Sequence, residues 1–102
     1  MHYILHYEYV DNILEKRQPF RNEHLALLNH YVSKGEVLLG GALCDPVDSS
    51  ITVFQVKNRS VVEKFVAQDP YVNNGLITNW QIREWNVVVG SCLEPASEPG
   101  DG

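Results

Sequence analysis

The chain has 102 residues, with eight Lys and Arg against thirteen Asp and Glu and a formal charge of −5. That length holds one modest core, and the acidic balance without any basic run lacks the clustered cations a phosphate backbone requires, which excludes nucleic acid as an expected partner. No apolar stretch approaches the ~20 residues needed to span a bilayer, and the N-terminus alternates polar and apolar residues, unlike a signal peptide; a soluble, cytoplasmic protein with no membrane partner is expected.

The first element is read from His2 to Val10. Tyr3, Leu5, Tyr7 and Tyr9 fall on one face and His2, Ile4, His6 and Glu8 on the other, the period-two pattern of a strand. Asp11-Asn12 punctuates it. Pro19 then stands where a first helical turn tolerates a missing N–H, and a helix is predicted from Phe20 to Lys34, closed by Gly35. At about 100° per residue, Phe20, Leu25, Leu27, Leu28, Tyr31 and Val32 share one arc, a clear buried face. His24 lies near the middle of that arc and Arg21 within it, so two ionisable groups point inward, where charge is costly unless paired.

Glu36 to Leu43 reads as a second strand ending in Gly40-Gly41, and Ile51 to Val56 as a third; Asp45-Pro46 through Ser50 supplies the turn chemistry that makes the two a hairpin. A second helix is predicted to open at Ser60, with Glu63 completing a capping box, and to bury Val61, Val62, Phe65 and Val66. It must stop near Asp69, because Pro70 disfavours helical geometry in the residue before it. A fourth strand is predicted from Trp80 to Val89. The domain so defined spans 1–90, and residues 91–102, rich in Pro, Gly, Ser and acidic residues, read as a flexible tail.

The order βαββαβ is that of an α+β, ferredoxin-like fold, an antiparallel sheet with both helices on one face. The other face is left bare and partly apolar, so a second copy of the chain is the expected cover, as a symmetric homodimer.

Several residues carry candidate chemistry. With both helices on one sheet face, His24 and Asp69 are able to converge, and a carboxylate beside an imidazole fixes its tautomer and raises its basicity for proton transfer near neutral pH. Two plainer readings stay open: a satisfied core histidine, and an aspartate that serves only as a cap before Pro70. Arg17 and Arg21 bracket the helix start and suit an anionic substrate, or form a solvated helix end. Gly41, with Gly40, permits close substrate approach or simply a twisted strand end. His2, His6 and Glu8 share a strand face, but residues spaced by two lie ~7 Å apart and no further ligand is evident, so no metal is expected. Cys44 and Cys92 form no CxxC pair and read as free thiols, and Cys44 lacks a neighbouring cation or helix N-terminus in sequence that would activate it.

Together, Leu14-Glu15-Lys16-Arg17, Arg21-Asn22-Glu23-His24-Leu25, Gly40-Gly41, and Asp69-Pro70-Tyr71-Val72 followed by Gly75-Leu76 resemble the YCII-related (YciI-like) proteins, in order and over nearly the whole predicted domain. The resemblance implies a dimeric α+β barrel, two ferredoxin-like subunits joined through their sheets. It also implies a His-Asp site at His24 and Asp69, with Arg17 and Arg21 as basic neighbours. One branch of the family dehydrochlorinates a chlorinated hydroxyquinol, and the wider superfamily includes muconolactone isomerases and cofactor-free monooxygenases. The chain departs from many relatives at Gly41-Ala42, where they carry Gly-Gly-Pro or Ala-Gly-Pro. The expected function is a small, cofactor-independent enzyme of lyase or isomerase type acting on a small anionic or phenolic molecule, with a non-catalytic binding or sensing module as the alternative.

Overall fold

The structure is a computed structural model that describes residues 1–91; Cys92 and the rest of the expected tail lie outside the described residues. Among the described residues nine elements follow one another: β1 (His2–Tyr9), α1 (Ile13–Lys16), a 3₁₀ turn (Gln18–Phe20), α2 (Arg21–Ser33), β2 (Val37–Ala42), β3 (Ser49–Gln55), α3 (Arg59–Gln68), α4 (Pro70–Asn73) and β4 (Ile77–Trp85). The four strands form one sheet in the order β2-β3-β1-β4, every neighbour antiparallel. This is the expected ferredoxin-like α+β topology, with β1 and β3 in the middle of the sheet.

Register sets the two faces of the sheet. Leu5 pairs with Thr52 of β3 and Ile82 of β4, and Tyr3 and Tyr7 lie on the same side as Leu5. On that side the core forms from Tyr3, Leu5, Tyr7, Tyr31, Phe54, Val62, Phe65, Val66 and Ile82. Phe65 meets Tyr31 and Phe54 edge to face, with ring centroids 5.2 and 5.4 Å away, a geometry the ring quadrupoles favour. A second cluster of Ile13, Tyr71 and Leu76, with Tyr9, Phe20 and Val47 against it, packs α1 and α4 onto the end of the sheet.

Two turns close in the same way. Gly35 and Gly75 both take φ +74. Each donates to the carbonyl three residues back, and the next residue donates five back: Glu36 to Tyr31 and Leu76 to Tyr71, both at 2.9 Å. These are Schellman closures, which need a left-handed residue at that position and so favour glycine.

Several expected boundaries move. The first long helix begins at Arg21, and Pro19 sits in the preceding 3₁₀ turn. Its buried face is narrower than the apolar arc suggested: Leu25 and Val32 are exposed, and the stripe facing inward is His24, Leu27, Leu28 and Tyr31, the i, i+3, i+4, i+7 set. The second long helix is capped by Asn58, whose side chain accepts the Ser60 N–H at 3.0 Å, so Ser60 already lies inside the helix. Glu63, expected in a capping box, pairs with Arg59 at 3.6 Å instead. β4 starts at Ile77 and ends at Trp85, and two four-residue helices, α1 and α4, were not anticipated.

On the far side of the sheet stand Ile4 and His6 of β1, Leu39 of β2, Ile51 and Val53 of β3, and Arg83 and Trp85 of β4, with Leu39 and Trp85 substantially exposed. Among the described residues no helix covers this face, as expected from the topology. Among the described residues, no helix is long and apolar enough to cross a membrane, and no three His, Cys, Asp or Glu residues cluster to hold a metal ion.

Candidate functional site

Asp69 is the structural hinge of the site. Pro70 forces it out of helical geometry, and it takes φ −70, ψ 120, ending α3 and capping α4 at once. Its side chain is fully buried. Oδ1 accepts the Tyr71 backbone N–H at 3.0 Å and meets His24 Nδ1 at 2.8 Å, while Oδ2 accepts the Tyr7 hydroxyl at 2.8 Å. A buried carboxylate is tolerated where donors surround it, and here three do so. Asp69 is therefore a helix cap and also the partner of a histidine.

His24 reaches Asp69 from the first full turn of α2, across 45 positions of sequence. With Nδ1 donating to the carboxylate, Nε2 is left as the ring nitrogen able to accept a proton. The imidazole is 12% exposed, at the boundary between core and solvent. Tyr71 lies flat on it, with ring centroids 3.7 Å apart and planes within 6°. Hydrogen bond and stack together hold the ring in one orientation.

His24 lines a cleft of about 310 Å³ at the end of the sheet where α1, α2 and the β2–β3 hairpin meet. Arg17, at the C-terminal end of α1, and Arg21, opening α2, line the same cleft. Gly40, Gly41, Ala42 and Cys44 form the hairpin wall, and Leu25, Leu28, Thr52 and Val47 supply apolar and neutral lining. Leu25 is exposed because it faces this cleft and not the core. A Cβ at Gly40 would come within 3.1 Å of the Thr52 side chain, whereas one at Gly41 would meet nothing within 4 Å. Asp69 stands behind His24 and does not line the cleft. The structure thus brings Arg17, Arg21, His24 and Gly41 around one space, with Asp69 one hydrogen bond behind it.

The tyrosines were not singled out from the sequence as site residues. Tyr7 signalled itself only as a phenol on the buried face of β1, which needs a partner for its hydroxyl. Tyr71 signalled itself only by following Asp-Pro. Burial, then the Asp69 charge and the hydrogen bond to it, push the Tyr7 phenol far above its ordinary range, which keeps it a proton donor to the carboxylate. Tyr9 is raised by burial, against the opposing pull of a Ser50 hydrogen bond and of Arg17 and Arg21. Tyr71 is likewise raised by burial and pulled back by Arg21 and, less, by Arg17. Within an acidic protein, this corner is dominated by positive charge.

Comparison with known proteins places the chain. A model of the YCII-related domain matches residues 1–86. An uncharacterized protein of Haemophilus influenzae is 29% identical over 97 residues, an alignment spanning 86% of this chain and 99% of that one. Among solved structures, the 5-chloro-2-hydroxyhydroquinone dehydrochlorinase TftG of Burkholderia phenoliruptrix, in complex with 2,5-dihydroxybenzoquinone, is similar with a TM-score of 0.71. Identity there is 20%, over 83% of this chain and 93% of that one, so that likeness speaks for the fold.

Proposed function

Because the chain belongs to the YCII-related family, we propose that it is a small enzyme performing acid–base chemistry of lyase or isomerase type on a small anionic or phenolic molecule, without a cofactor. The observation that carries this reading is the 2.8 Å contact between His24 Nδ1 and a fully buried Asp69, with the imidazole at the edge of a cleft lined by two arginines. In this reading His24 Nε2 takes and returns a proton. Asp69 holds the reactive tautomer and stabilises the imidazolium that forms, and Arg17 and Arg21 bind the substrate's negative charge. The backbone at Gly40 and Gly41 lets the substrate lie close to the hairpin wall. That a protein of the same fold is named as a dehydrochlorinase of a hydroxylated aromatic supports this substrate class.

The same proposal takes the chain as a homodimer closed through its sheets. Support comes from the uncovered face, where Ile4, Ile51, Leu39 and Trp85 stand together, and from the barrel architecture that the resemblance implies. Light scattering on the purified protein tests it: a mass of two chains is expected, and a monomer at micromolar concentration rejects it.

The functional test is a turnover screen of small hydroxylated aromatics and enolisable acids on wild type and His24→Asn in parallel. Loss of at least a hundredfold in kcat with the substitution is expected, within the range general acid–base groups supply. Turnover undiminished in His24→Asn removes His24 as the base. Tight ligand binding without turnover by either form favours the binding or sensing module.

A further inference from the structure

We propose that Tyr71 is a second catalytic group: its hydroxyl, beside Arg17 and Arg21, holds the substrate oxygen on which negative charge develops when His24 removes a proton from the neighbouring carbon. This rests on the acid–base reading above and narrows its substrate class to molecules with a carbonyl oxygen, that of a phenol's keto tautomer included, conjugated to the reacting carbon.

Three observations carry it. Tyr71 is 1% exposed, and its buried hydroxyl finds no acceptor for its proton: the group drawn to the oxygen is the Arg21 guanidinium, which can only donate. A phenol so placed ordinarily finds one, and leaving it unpaired has a cost of desolvation. The residue lines the cleft and lies against the imidazole at 3.7 Å, so an oxygen held by it sits beside the histidine. Finally, Arg17 Nε is also buried without a partner and lines the same cleft. Arg21 stands beside the phenol oxygen, where its hydrogen bond and its charge oppose the rise that burial imposes on Tyr71. Two unpaired buried donors and a second guanidinium in one corner form a cradle for an oxyanion, of the kind that preorganised donors provide.

The step balances without a co-reactant. His24 Nε2 uses its lone pair to take the proton as the C–H bond breaks. The freed pair forms a C=C bond, and the carbonyl π pair moves onto the oxygen held by Tyr71. Return of the same proton to another carbon of the delocalised anion gives an isomer. Departure of an anionic leaving group with its bonding pair gives an elimination product, and the proton passes from His24 to water.

Tyr71→Phe tests this, since it keeps the ring stack and removes only the unpaired hydroxyl. The probe is 4-nitrophenol, titrated by absorbance across pH, with nitrobenzene as a neutral control. Wild type is expected to bind the phenolate at least tenfold more tightly than the neutral phenol. Tyr71→Phe is expected to lose about tenfold of phenolate affinity, the scale of one hydrogen bond to a charged group. Nitrobenzene binding and the urea midpoint stay unchanged or rise. Phenolate preference equal in the two proteins, or absent from wild type, overturns the proposal. A lowered urea midpoint with nitrobenzene binding lost also overturns it, by making Tyr71 structural. If the preference depends on Tyr71 but wild type turns over nothing in the screen, the oxyanion cradle stands as a binding site and the acid–base reading falls; if His24-dependent turnover survives Tyr71→Phe unchanged, only the present proposal falls.

Discussion

Tyr71 touches the His24–Asp69 pair twice: its ring stacks on the imidazole at 3.7 Å, and its backbone N–H donates to the same Asp69 oxygen that meets His24 Nδ1. One residue thus sets the plane of the base and helps fix the carboxylate that orients it. The arrangement follows from Asp69-Pro70, because the turn that Pro70 enforces returns the chain directly over its own cap.

Removing the carboxylate therefore reaches past the histidine. Asp69→Ala leaves the Tyr7 hydroxyl, His24 Nδ1 and the Tyr71 N–H without their acceptor inside the protein. The expected loss is about 3 kcal/mol or more, as buried donors stranded without partners cost about 1–3 kcal/mol each and the losses add incompletely. Urea unfolding with a shared m-value measures it. A loss under about 1 kcal/mol contradicts the network.

Stability should fall on the alkaline side. The Tyr7 phenol is raised above its ordinary value of 10.0 by burial, the Asp69 charge and its hydrogen bond to Asp69. In the folded protein it keeps a proton that the unfolded chain gives up. The stabilisation is therefore complete below about pH 10 and drains away as pH rises beyond it, by about 1.4 kcal/mol per pH unit for one such phenol. Tyr9 and Tyr71, raised in the same direction, steepen the decline. Unfolding midpoints followed from about pH 8 to 11.5 should show this slope, and Tyr7→Phe should reduce it. A slope identical in wild type and Tyr7→Phe contradicts the assignment to Tyr7.

Arg21 separates binding from folding. Among the described residues neither Arg17 nor Arg21 forms an ion pair with a carboxylate. Arg21→Gln is expected to leave the unfolding free energy within about 0.5 kcal/mol, as surface changes away from a network do. It should weaken binding of an anionic ligand roughly tenfold or more, because a charge-assisted contact is lost. It should also raise the Tyr71 phenol further, since Arg21 is the leading influence against that rise. Equal affinity of wild type and variant for 4-nitrophenolate, measured calorimetrically, removes Arg21 from the binding role.

The two adjacent glycines should respond differently to alanine. At Gly40 the new methyl meets Thr52 Oγ1 at 3.1 Å and Cγ2 at 3.2 Å, so strand pairing or the Thr52 side chain must give way beside the cleft. Gly40→Ala is expected to cost about 1 kcal/mol or more, the low end of overpacking. Gly41→Ala meets open space and should be neutral or slightly stabilising, because it restricts the unfolded chain. Thermal unfolding of the pair checks the order; equal midpoints reject it.

How far the site was legible depends on the residue. His24 could be found because a charged-type side chain on a helix's apolar arc has to be paired, and Asp69 because an acidic residue before proline marks a helix end. Topology made their meeting possible, since both helices pack on one sheet face, and the tertiary structure supplies the 2.8 Å contact. Tyr7 and Tyr71 stayed hidden because a tyrosine in a hydrophobic pattern reads as core, and the partner of its hydroxyl is a tertiary fact. Helices α1 and α4 stayed hidden because four residues are too few to display a 3.6-residue period. The cap lies at Asn58, two residues before Ser60, because the extended backbone at Asn58 lets its side chain accept the Ser60 N–H, a conformation the sequence does not display.

By itself, the sequence determined the order of strands and long helices and the antiparallel sheet with one uncovered face, and it offered His24 and Asp69 as a candidate pair, because hydrophobic periodicity and proline and glycine act locally and leave a local record. Only the tertiary structure decided that Leu25 walls a cleft instead of packing in the core, that Arg17 and Arg21 share that cleft with His24, and that Tyr71 lies across the imidazole with no acceptor for its hydroxyl proton. Those outcomes depend on how the two short helices and the β2–β3 hairpin pack against the sheet's end. Such packing is a balance among many residues distant in sequence, so no single segment carries its signature.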